Sequence, residues 1–292
     1  MRGLATPTRA ATAATGRMAK TFVKTRVVKR FGTSLFLLLA STALAQAQPD
    51  APPGTPPGMA SRLASAHIST IQTGRYGAGD NGSFTLEPYG GGKFLLRFAG
   101  RGEIFVLVTE RGSLGVKLLK YDTGAVALSV SMWGGLTLYT QDAPQGVAAT
   151  YQGPAQPSPV LAINNAELQV ALNDESSHLS YVQNIALKFS ADPAVLAADP
   201  ETRGRAFDAL TNAATGIERF LSANPAARSQ LIKRISSVKV AEGGKPTIAL
   251  VGQTMLVSFV PSEGHDGHAS SLAIQQELGK LFAGTPPDMA IK

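Results

Sequence analysis

Between residues 83 and 151, apolar and β-branched residues come in short runs cut by glycine-containing turns. That is the layout of closely spaced antiparallel strands. The clearest run is 125–132. Val126, Leu128, Val130 and Met132 alternate with Ala125, Ala127, Ser129 and Ser131, so one face is bulky and apolar and the other small. Gly134-Gly135 precedes a second run, Leu136, Thr137, Leu138, Tyr139 and Thr140, rich in β-favouring residues. Upstream, 94–98 and 104–108 bracket Gly100-Arg101-Gly102, a loop of hairpin length. Residues 116–121 turn into the alternating run through Asp122-Thr123-Gly124. About six strands are predicted, as a meander, small barrel or half-open sheet. No strand here alternates with a helix, which argues against parallel pairing.

The pattern changes after residue 160. Residues 160–164 and 167–172 fit two further strands, and 178–189, apolar without a clean period, is read as helix. Asp192-Pro193 and Asp199-Pro200 each place a capping residue before a proline at the first helical position. Phe207, Leu210, Ala214, Ile217, Phe220 and Leu221 then recur at three and four, one buried stripe. Asn224-Pro225 stops that helix and caps another, lined by Leu231, Ile232 and Ile235. Strands follow at 237–241, 247–251 and 255–260, then a polar loop over 261–268 and a helix over 270–282. The predicted class is α+β: an antiparallel β-rich N-terminal half, a helical block, a short β-meander and a C-terminal helix.

Composition adds a destination. Residues 1–33 hold eight basic side chains and no acidic one, and Leu35-Phe36-Leu37-Leu38-Leu39-Ala40 is an apolar run too short to span a bilayer. Ala43-Leu44-Ala45 and Ala45-Gln46-Ala47 are small-x-small cleavage candidates. Residues 1–47 thus have the form of a secretory signal peptide, with translation starting at Met1 or Met18; an uncleaved membrane anchor is the alternative. The expected organisation is 1–47 signal peptide, 48–82 proline- and glycine-rich spacer with a candidate helix at 60–71, 83–152 β domain, and 160–292 α+β domain.

Export reverses the charge argument. The whole chain carries +7, but removing the leader's eight bases from the 27 leaves 19 against 20 acidic residues. The basic excess therefore belongs to the leader and is no sign of nucleic-acid binding, which needs a basic face on the folded domain. There is no cysteine, so disulfides, thiolate catalysis, Cys-ligated metals and a lipoprotein anchor are excluded.

Three motifs carry candidate chemistry. Asp122-Thr123-Gly124-Ala125 matches the aspartic-protease tripeptide, but that mechanism needs two carboxylates sharing a proton, and Lys120-Tyr121 precede it where apolar residues are expected. A hairpin turn accounts for it: Asp accepts backbone bonds and Gly takes positive φ. Ser236-Ser237-Val238-Lys239 has the spacing of penicillin-binding enzymes, but it lies where a helix gives way to a strand and lacks the companion motifs. Glu263, His265, Asp266 and His268 form a metal-capable cluster, with a solvated loop leading to a helix cap as the simpler account. The aromatic set Phe84, Phe94, Phe98, Phe105, Tyr121, Trp133 and Tyr139 is read first as core and second as the wall of a ligand pocket.

The succession Phe94-Leu95-Leu96-Arg97-Phe98, Glu103-Ile104-Phe105-Val106-Leu107, Tyr121-Asp122-Thr123-Gly124 and Trp133-Gly134-Gly135-Leu136-Thr137-Leu138-Tyr139-Thr140, with the later loop 264–271, resembles an uncharacterised family of exported alphaproteobacterial proteins known as a domain of unknown function. The resemblance implies a Gram-negative envelope location and carries no activity, cofactor or catalytic residue. The expectation is a periplasmic or secreted, soluble, non-catalytic binding or interaction module for an envelope ligand or protein, without nucleic acid and without a cofactor. The alternative is a hydrolase using a divalent metal held by the 263–268 loop.

Overall fold

The computed structural model describes residues 71–282. The expected signal peptide, most of the expected spacer and all but the last residue of the candidate helix at 60–71 lie outside the described residues. Eight antiparallel strands close into a barrel: β1 (Gly74–Gly77), β2 (Ser83–Pro88), β3 (Lys93–Phe98), β4 (Ile104–Arg111), β5 (Lys117–Lys120), β6 (Val126–Val130), β7 (Leu136–Leu138) and β8 (Val147–Gly153). Each pairs with its sequence neighbour, and β8 returns to β1. The barrel starts at Gly74, upstream of the expected 83; two glycines in a four-residue strand leave no alternation to read.

The turns carry the residues their geometry needs. Gly124 sits at φ 82° after Asp122-Thr123, its N–H donating to the Tyr121 carbonyl at 2.9 Å. Gly134 repeats the device at φ 83°. Both are backbone conformations that a side chain opposes. Inside, Phe84, Leu86, Leu96, Phe105, Leu107, Leu119, Leu128 and Leu138 are buried. Each contributes on the order of 1.5–3 kcal/mol of burial. Met132, predicted on the apolar face, is half-exposed because β6 ends at Val130.

The second half is built on α1 (Asn165–Gln183), β9 (Lys188–Ala191), α2 (Pro193–Ala197), α3 (Pro200–Ala223), α4 (Arg228–Arg234), β10 (Ser237–Glu242), β11 (Thr247–Val251), β12 (Thr254–Phe259) and α5 (Ser271–Phe282). Residues 167–172, read as a strand, are helical. Asn164 accepts from the Glu167 N–H at 2.9 Å and the Glu167 carboxylate accepts from the Asn164 N–H at 2.7 Å, a reciprocal cap that starts α1 there. The helix read over 178–189 ends at Asn184, whose φ of 51° turns the chain into β9.

β9 and β12 both lie parallel to β10, and β11 is antiparallel to β12. The three strands expected in succession share one sheet, but the sheet order is β11-β12-β10-β9. The turn over 243–246 carries the chain past β12's place. Against this sheet α3 buries Leu210, Ala214, Ile217, Phe220 and Leu221 of the predicted stripe, with Ala213 beside them, while Phe207 is only partly buried. Gly216 lets α5 approach: a Cβ there would meet Ile274 at 2.6 Å.

Candidate functional site

Acidic side chains of the barrel hold the second half. Glu103, in the β3–β4 loop, accepts from both the N–H and the O–H of Ser271, each at 2.7 Å. Asp122, in the β5–β6 turn, accepts from the N–H of Ser270 at 2.9 Å and its O–H at 2.7 Å. Two carboxylates thus meet the positive end of α5, where negative charge is favoured. Glu87 at the end of β2 grips Ser158 in the same way, both contacts at 2.9 Å. Burial raises the Glu103 carboxyl above its ordinary range, while the Ser271 bonds and the Arg219 guanidinium pull the other way.

Beside this junction the barrel mouth opens into a cavity of about 1420 Å³. Phe98, Phe105, Tyr121 and Tyr139 form its aromatic wall, and α5 lends Leu272, Gln275 and Gly279. Phe105 meets Tyr121 edge-on at 5.1 Å. Burial pushes the Tyr121 hydroxyl to about 12, so it stays a neutral donor. Arg101 at the rim stacks over Phe98 at 5.8 Å. Arg219, from α3, reaches Glu103 at 3.9 Å, while its Nε is buried without a hydrogen-bond partner. The chemistry is an aromatic and apolar lining that also carries Arg101, Arg219 and Lys280, with Asp80 and Asp142 among its polar groups.

The polar loop over 261–267 forms a different cluster. His265 and His268 converge with Asp208 of α3, their ligand atoms within 4.8 Å of one another. His268 Nε2 lies 3.9 Å from Asp208 and is buried with no hydrogen-bond partner, while its Nδ1 faces the Asn212 amide at 3.2 Å. Arg205 approaches His265 Nδ1 at 3.3 Å and Asp208 at 3.6 Å. Burial pushes both imidazoles down to about 4 and Asp208 up to about 6. Both rings are neutral at pH 7.

The other two candidate ligands are not among these converging atoms. Asp266 pairs with Lys93 of the barrel at 2.9 Å, and the Glu263 carbonyl accepts from the Tyr89 hydroxyl at 3.2 Å. Asp208 had no signal in the loop's spacing, because it comes from a helix some sixty residues upstream. Of the aromatic set, Phe84 packs in the barrel core, Phe94 packs against it, and Trp133 is 78% exposed. Asp122 does sit in a hairpin turn, and its carboxylate also docks α5. That role leaves no local trace, since Ser270 is 148 residues away.

A family model described as a domain of unknown function (DUF4908) matches residues 59–278. No curated protein and no solved structure matches the chain.

Proposed function

This chain belongs to the DUF4908 family, and from that premise we propose that it is an exported, non-catalytic binding protein whose barrel mouth takes a small amphiphile with an acidic head group. One observation carries the reading. The cavity joins the Phe98, Phe105 and Tyr121 wall to two guanidinium groups, Arg101 and Arg219, the second with a buried Nε lacking a partner. An apolar tail lowers its free energy against the rings, and a carboxylate or phosphate satisfies the donors. Export to the envelope is supported by the cationic stretch, apolar run and small-x-small sites within residues 1–47.

Fluorescence of 1-anilinonaphthalene-8-sulfonate tests the binding. Saturable one-site binding is expected, displaced better by a fatty acid than by the methyl ester of equal chain length. Arg101→Gln and Arg219→Gln should erase that preference. Absence of saturable binding, or equal displacement by acid and ester, overturns the reading. A mature amino terminus near residue 47, read by mass spectrometry, checks export; an intact leader on all of the protein recovered from cells contradicts it.

Hydrolysis at the 263–268 loop would fall to His265 and His268 with Asp208, not to the four residues of the loop itself. Asp266 is committed to Lys93, and His265 and His268 are buried against α3.

A further inference from the structure

We infer that Asp208, His265 and His268 form a site for one divalent transition-metal ion of the zinc class, held by three protein ligands with the fourth position left to water. Two imidazoles and a carboxylate are the donor types such ions select. They come from α3 and from the 261–268 segment, yet their ligand atoms lie within 4.8 Å of one another. Around a tetrahedral ion such atoms stand about 3.3 Å apart, so modest side-chain rotation closes the set.

The strongest observation is His268 Nε2. It is aimed at Asp208, its side chain is 4% exposed, and no hydrogen bond satisfies it. A buried polar atom left unpaired costs on the order of 1–3 kcal/mol. A metal bond removes that cost.

Arg205 stands in the position of a charge placeholder. Its guanidinium contacts both His265 and Asp208 and neutralises the carboxylate. A dication entering the site replaces that charge, and Arg205, whose side chain is 14% exposed, turns away. His268 Nδ1 then carries the ring proton, and the Asn212 amide, which otherwise donates to the Ala269 carbonyl at 3.0 Å, gives up that bond to turn its oxygen toward the ring, the outer-shell contact of metal-bound imidazoles. The ion would fasten α3 to the loop, and the loop already reaches the barrel through His265 N–H donating to the Tyr89 hydroxyl at 2.9 Å.

The test uses the untagged mature chain, stripped with chelator and titrated with Zn²⁺ by calorimetry and with Co²⁺ by visible absorption. One equivalent is expected to bind with a micromolar or tighter Kd, raise the Tm, and give Co²⁺ the intense bands of a four-coordinate site. His268→Gln and Asp208→Asn should each weaken binding at least tenfold, with the metal-free circular dichroism unchanged. Arg205→Gln should bind at least as tightly as the parent. No stoichiometric binding, six-coordinate Co²⁺ spectra, affinity unchanged in both ligand variants, or a tenfold loss in Arg205→Gln overturns the site. If a ligand variant fails to fold, the parent's Co²⁺ spectrum decides.

Discussion

Glu103 and Ser271, separated by 168 residues, meet through two bonds of 2.7 Å in which one carboxylate takes both the backbone and the side-chain donor of a single serine. Both residues are buried. Glu103→Ala leaves those donors unpaired and should lower stability by about 2–4 kcal/mol. In a double-mutant cycle with Ser271→Ala, urea denaturation should return a coupling of about 1–3 kcal/mol. Additive losses would show that the pair does not hold the halves together.

The same carboxylate sets a pH dependence. Desolvation raises its pKa in the folded chain, so the folded state keeps the proton to higher pH than the unfolded one. The sign follows: its contribution is full below the unfolded value and falls as pH rises through the folded value. Glu103→Gln cannot ionise and lacks this loss. The gap in unfolding free energy between parent and Glu103→Gln should therefore narrow as pH is raised from 4 toward 7. A widening gap would contradict the raised pKa.

Gly216 is a point of close approach between α3 and α5. Alanine there would place its Cβ 2.6 Å from Ile274 and 2.9 Å from the Ser271 carbonyl. Helix propensity favours alanine by about 1 kcal/mol, but overpacking a core costs about 1–3 kcal/mol, and a backbone oxygen cannot rotate away. Gly216→Ala should lower the Tm, by scanning calorimetry, despite the better helix former.

Gly279 gives the opposite case on the same helix. It lines the cavity, and a Cβ there meets nothing within 4 Å. Gly279→Leu should keep or raise the Tm and fill the mouth, weakening fluorescent-probe binding at least tenfold. Unaltered affinity would place the probe elsewhere.

Leu114 tests local strain. It holds φ 53° in the β4–β5 turn and is 89% exposed, so no burial offsets the conformation. A left-handed side-chain-bearing residue costs about 1–2 kcal/mol, part of which glycine gives back in unfolded-chain entropy. Leu114→Gly should stabilise by about 0.5–1 kcal/mol, read from the urea midpoint at unchanged slope.

What was legible in the sequence follows from range. Apolar runs between glycine turns placed β3 to β7, with alternation clear in β6, and Asp-Pro caps with a three-and-four stripe placed α3, because those signals sit within one element. α1 was misread because its buried leucines, Leu168, Leu172 and Leu179, are too sparse to outweigh polar neighbours, although the Asn164 and Glu167 cap was present. The parallel pairing of β10 with β12 depends on which strand the chain passes over, which local pattern does not encode. The same holds for the sites. His265 and His268 stood out together, but Asp208 and the Arg219 that faces the cavity come from a helix distant in sequence. The Asp122 carboxylate gained its partner only when α5 arrived.

One consequence follows from α5 being pinned by carboxylates at its first turn while its later residues roof the pocket. The roof cannot lift there without breaking the four hydrogen bonds that Ser270 and Ser271 donate to Asp122 and Glu103. On the proposed binding role, accommodation of differently shaped guests therefore falls to the far end of the helix, around Gln276 and Lys280, and to the rim loops. Selectivity can drift there while the seam between the halves stays as it is.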